Sequence, residues 1–138
     1  MVKRYGYKIP IFDRALNVYI GTSIQEAAAR IEKDYEISME VHATTDGFST
    51  YITNEKLKSI HYVIALETST VTSRHIAHEA LHSAFDMLDY IDVKVDVDNQ
   101  EALAYLMDYI IGLIEESLKK FKNTKRNGSK SKNNKKLR

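Results

Sequence analysis

Wound as an α-helix, residues 74–90 fall into two chemically different faces, which leaves this segment few ways to pack. With His78 at zero, an arc of about 140° holds Asp89, His82, His75, Asp86, Glu79 and Ser83, while Ile76, Ala77, Ala80, Leu81, Ala84, Phe85, Met87 and Leu88 fill the other side. One face is core, and the other is solvent or chemistry. At the centre of the segment stands HEALH, His78 to His82. Residues four apart are offset by about 40° around a helix, so His78 and His82 stack within reach of one ion. Glu79 lies beside that ion, where it can take a proton from an attacking water and pass it to a leaving amine. The bland alternative is a solvated face on a helix rich in alanine and leucine.

The chain of 138 residues has no cysteine, so disulfides, thiol catalysis and cysteine-based zinc ribbons are excluded. A metal must then be held by histidine and carboxylate, and Zn2+ fits the histidine pair. A catalytic zinc site takes a third protein ligand and keeps one position open. His75 is on the right face but lies about 10.5 Å of helix rise from His82, too far for easy convergence. His42 and His61 read as ordinary surface or strand histidines. Glu101 is better placed, eighteen residues after His82 in DNQEALAYLMDYI, where a returning helix would bring its first turn back beside the first. A competing reading pairs Asp98 with Glu101 as a capping box. Tyr105 and Asp108 share the face of Glu101, and either could orient an imidazole or stabilise an oxyanion.

The rest of the chain reads as a frame for that helix. YGYKIPIF and LNVYIG alternate with period two around DRA, predicting a hairpin that turns Tyr5, Tyr7, Ile9 and Ile11 and Leu16, Val18 and Ile20 inward. Ser23 followed by Glu26 predicts a helix over 24–36. GFSTYIT and HYVIALE predict two more strands joined by NEKLKS. The active-site helix should start near Thr72 or Ser73 and end near Tyr90, and a last helix should run from about Asn99 to Phe121. One domain over 1–121 and a basic, disordered tail over 122–138 follow. Residues 119–138 carry ten Lys and Arg and no Asp or Glu, leaving ten basic against nineteen acidic residues before them. No apolar stretch follows the basic N-terminus and none is long enough to span a membrane, so a cytoplasmic protein is expected.

HEALH followed by Glu101 in NQEALAYL resembles the HExxH-plus-glutamate arrangement of the gluzincin zinc metallopeptidases. HEALHSAFDMLDY and QEALAYLMDYI look like the small metallopeptidases encoded by tailed phages and prophages, a resemblance confined to about residues 71–112. It implies His78, His82 and Glu101 as zinc ligands, Glu79 as general base and acid, and a host-cell cytoplasmic setting. It also implies that HYVIALE lies along the cleft and pairs with an extended peptide. Where gluzincins often have an acidic residue four positions after the liganding glutamate, this chain has Tyr105.

The expectation is an α+β, minimal zincin-like domain: a small, mostly antiparallel sheet, one packing helix, the HExxH helix and a returning C-terminal helix. The expected function is zinc-dependent hydrolysis of a specific protein or peptide, with Glu79 as base and Tyr105 helping to hold the oxyanion. Two rivals stand beside it. One is a non-catalytic zinc-containing module that binds a protein, or contacts nucleic acid weakly through its basic tail. The other is a metal-dependent hydrolase of a non-peptide substrate.

Overall fold

The computed structural model describes residues 1–10, 14–42, 45–53, 56 and 60–136, with side chains described as far as residue 132. Among these residues the order is β1 (Val2–Ile9), β2 (Arg14–Gly21), α1 (Ile24–Tyr35), β3 (Gly47–Ile52), β4 (His61–Glu67), α2 (Ser73–Tyr90) and α3 (Glu101–Lys136). The strands form one sheet in the order β1-β2-β4-β3. β1 and β2 are the expected antiparallel hairpin, β3 and β4 pair antiparallel, and β2 and β4 run parallel. The architecture is therefore α+β with a mostly antiparallel sheet. Ile11 and most of NEKLKS lie outside the described residues.

Strand alternation divides the sheet between two cores. Leu16, Val18 and Ile20 of β2 with Tyr62, Ile64 and Leu66 of β4 face α2 and α3. Tyr19, Val63 and Ala65 face α1, where they meet Ile24, Ala27, Ile31 and Tyr35. Because β2 and β4 are covered on both faces, they read as nearly continuous apolar runs, as parallel strands usually do. No helix among the described residues is long and apolar enough to cross a membrane.

α1 starts where the sequence places it. Ser23 Oγ accepts from the Glu26 amide at 3.2 Å, and the Glu67 carboxylate accepts from the Ile24 amide at 2.9 Å, tying the helix start to the end of β4. The Glu26 side chain does not close the capping box; it accepts instead from the Thr22 hydroxyl and the N-terminal ammonium.

A polar network crosses the sheet beneath α1. Tyr19 and Arg30 donate to Asp34, Arg4 lies 3.5 Å from it and also donates to Asn17, and Asn17 donates to Tyr35, whose hydroxyl meets His61 Nδ1 at 2.8 Å. Burial works to raise the Asp34 carboxyl, but the hydrogen bonds from Tyr19 and Arg30 and the charge of Arg4 outweigh it and hold the group below the usual range. A depressed folded-state carboxyl adds stability above its unfolded value of 3.8, and that stability is lost as pH falls through the folded value. Asp34→Ala should therefore cost about 2 kcal/mol at pH 7. In urea unfolding the gap between variant and wild type should narrow below about pH 4; a gap independent of pH would remove the charge from this account.

α3 returns alongside α2, as expected, but not over the expected length. Its stripe of Leu106, Ile110, Ile114, Leu118 and Phe121 is buried, and Phe121 is the last buried residue. The sequence reading ends the helix there. In the structure it continues to Lys136, with every described side chain beyond Phe121 exposed. No proline interrupts this stretch; its lysines and arginine favour a helix, and its asparagines, serines, threonine and glycine do not.

Candidate metal centre

α2 begins with its own cap. Thr72 Oγ1 accepts from the His75 amide, and His75 Nδ1 accepts in return from the Thr72 amide at 3.1 Å. The third histidine of the segment is thus half of a capping box, with its other nitrogen 3.8 Å from Asp46. His61 is held by Tyr35 on the opposite face of the sheet, and His42 is exposed in the connector after α1.

His78 and His82 come together on the outer side of α2. Their rings sit edge to face with centroids 4.7 Å apart, and their Nε2 atoms point at each other across 3.2 Å. Two nitrogens bound tetrahedrally to one zinc at about 2.0–2.1 Å stand roughly 3.3 Å from each other, so the pair has the spacing of two ligands of a single ion. Glu79 Oε1 lies 4.0 Å from His78 Nε2. Unlike the exposed histidines, Glu79 is 7% exposed. A carboxylate beside converging imidazoles, withdrawn from bulk water, is in position to exchange a proton with whatever occupies the cavity in front of it.

The helical wheel assigned Glu79 and Ser83 to the wet face and Phe85 to the core, and the structure reverses these. Glu79 and Ser83 are buried, whereas Phe85 is 43% exposed. Packing on β3 selects the reverse face. The buried stripe runs through Ile76, Ala80, Ala84, Met87 and Leu88, and the turn containing Glu79 rests over Gly47. A Cβ built on Gly47 would stand 2.9 Å from Leu66, 3.1 Å from the Ala65 carbonyl and 3.9 Å from Glu79 Cγ. The missing side chain leaves room for Leu66 and the Ala65 carbonyl of neighbouring β4, and Glu79 lies above it at ordinary contact distance.

The cavity in front of the pair, about 270 Å³, is lined by Gly47, Phe48, Ser49, His78, Glu79, His82 and Asp86. The strand bordering it is therefore β3. HYVIALE, expected in that place, forms β4, which is paired on both edges by β2 and β3 and has no edge to offer. β3 is an edge strand, and Gly47, Ser49 and Tyr51 share its α2 side, being in register with Leu66, Ile64 and Tyr62. Only the glycine opening GFSTYI hinted at a close approach; nothing in the sequence linked that strand to the histidines.

Asp86, one turn beyond His82, also borders an adjoining hollow of about 240 Å³ with Tyr51, Tyr62, Asp89 and Tyr90. Burial pushes its carboxyl up, the neighbouring His82 pulls it down, and Asp89 adds to the rise.

Glu101 and Tyr105 lie outside the cavity of the histidine pair. Glu101 is the exposed first residue of α3; the helix starts at Glu101 itself, and the Asp98 amide is turned to Asp96, so the capping-box alternative does not form. Tyr105 is 72% exposed and, with Asp108, lines a separate apolar concavity that includes Ile9, Pro10 and Leu106. The cause is the apolar stripe of α3: burying Leu106 and Ile110 turns the face of Tyr105 and Asp108 toward the end of β1. Among the described residues, no third histidine, aspartate or glutamate completes a three-donor cluster with His78 and His82. The donor pair thus has the chemistry and spacing for zinc, and the third ligand is the part of the expectation that the packing does not assemble. No protein-family model matches this chain, and neither the curated proteins nor the solved structures give a match.

Proposed function

We propose that this protein is a zinc-dependent metallopeptidase that hydrolyses a specific protein or peptide. The observation that carries the reading is the convergence of His78 and His82 Nε2 at 3.2 Å beside the buried carboxylate of Glu79. A solvated helix face has no need of either feature. When bound, zinc polarises the scissile carbonyl and makes water nucleophilic at neutral pH. Glu79 takes the proton from the attacking water and returns it to the leaving nitrogen. Among the described residues the outer edge of β3 next to this cavity is unpaired, so an extended peptide can add to it as a further strand, its backbone bonds fixing the scissile bond relative to Glu79. Among the described residues no second lobe encloses the cavity, which suits a substrate presented as a flexible segment.

For the third ligand we propose Glu101, in line with the gluzincin resemblance, which requires the first turn of α3 to shift toward the pair when metal binds; Asp86 is the alternative, favoured by its place in the cavity wall. Zinc content of tag-free protein distinguishes the two. About one zinc per chain is expected in wild type, with a drop of at least tenfold in affinity in Glu101→Ala or in Asp86→Ala according to which donates. Wild-type protein that is zinc-free and cannot be reloaded would sink the metallopeptidase reading.

A further inference from the structure

The second half of α3 has left the body of the protein. Fifteen residues, 122–136, extend the helix by about 22 Å past Phe121, the last side chain it buries. The described basic residues in and just before this stretch are not spread evenly around it. Lys119, Lys122, Lys125, Arg126, Lys130 and Lys132 fall within an arc of about 160°, and the remaining surface is largely Asn123, Thr124, Asn127, Gly128 and Ser131. Lys119, Lys122, Lys125 and Arg126 line one concavity with Glu115 and Leu118, and it continues past Lys125 and Arg126 to Ser129 and Lys130.

Among the described residues, none of the six stripe cations takes part in an ion pair. Lys120, off the stripe, bonds Glu116 at 3.0 Å and lies over the Tyr7 ring of β1, whereas on the stripe Lys125 lies over the Phe121 ring of its own helix without an acidic partner. A run of unneutralised cations on a helix that buries nothing is costly unless an external polyanion accompanies it.

We infer that the projecting half of α3 is a nucleic-acid-binding helix, which lays its cationic stripe along the phosphates of duplex DNA without reading sequence. Three alternatives explain the stripe less well. An interfacial membrane helix sets an apolar face against its basic one, and here the opposite face is asparagine, threonine, glycine and serine. The acidic body of a second copy offers scattered carboxylates, of which Asp34, Glu36 and Glu26 are already paired with cations, whereas a duplex carries one charge per roughly 1.7 Å of its axis. A disordered polycation would bind the same partner but would not need the charges on one side.

The test is binding of the full-length protein to a fluorescently labelled 24-base-pair duplex of arbitrary sequence, across a salt series. Affinity should be roughly micromolar at 50 mM salt and fall log-linearly with salt, with a slope of about 0.9 for each phosphate neutralised. Lys122→Gln/Arg126→Gln/Lys130→Gln should lower that slope by about 2.7, and Gly128→Ala, whose added Cβ meets nothing within 4 Å, should tighten binding by favouring the helix. Ser129→Pro keeps every charge but breaks the helix and should weaken binding severalfold. Wild-type affinity in Ser129→Pro would reduce the stripe to a flexible polycation and overturn the inference. So would preference for anionic vesicles over the duplex, or salt-sensitive self-association without duplex binding.

Discussion

Glu79→Gln is expected to leave zinc bound and to slow peptide hydrolysis by a factor of about 10²–10⁴. The substitution preserves the size of the side chain and removes only its ability to accept a proton. Since Glu79 is 7% exposed and packed over Gly47, a smaller residue would leave a gap between α2 and β3 and confuse chemistry with packing. The amide avoids this, and exchanging a buried carboxylate for a neutral group should leave the thermal midpoint unchanged or higher. Peptide, RNA and ester substrates assayed with wild type and Glu79→Gln in parallel separate the possible reactions. Activity against any of them that survives the substitution removes Glu79 as the base, and zinc-loaded wild-type protein inert toward all three favours the binding-module reading.

Zinc should raise the thermal midpoint of wild type and leave those of His78→Ala and His82→Ala where they are without metal. At a free zinc concentration a hundredfold above the dissociation constant, binding adds about 2.7 kcal/mol, roughly 10 °C for a domain of this size. Both imidazoles are exposed and touch little apart from each other, so metal-free variants should unfold close to metal-free wild type. A lost zinc response then reports the site itself. Chelator should reverse the wild-type shift. An equal zinc response in all three proteins would place the ion elsewhere and leave the 3.2 Å approach as an ordinary imidazole hydrogen bond.

The sequence had access to whatever depends on spacing within one element. The hairpin and its inward positions, α1 behind Ser23, the start of α2 near Thr72 and the stacking of His78 on His82 all follow from periods of 2 and 3.6 residues and from local capping chemistry. It also fixed where the core stops, because the last apolar position of the final helix is Phe121. His75 is instructive: the wheel put it on the face of the histidine pair, yet its offset of three from Thr72 made it a cap, a signal present in the sequence.

What only the tertiary structure decided is which parts of different elements meet. A helical wheel supplies relative angles but no absolute rotation, so it could not say that Glu79 goes under and Phe85 out; burial of Ile76, Ala80, Ala84, Met87 and Leu88 in the core chose that. The gluzincin resemblance implied HYVIALE at the cleft, but strand order put GFSTYI at the edge, since pairing between β2 and β4 encloses the later strand. Glu101 and Tyr105 depended on the rotation of α3 about its own axis. Burial of Leu106, Ile110 and Ile114 fixes that rotation, each such side chain being worth about 1.5–3 kcal/mol. Local geometry determined the pair of histidines and their glutamate, and the burial of apolar surface determined which other residues stand near them.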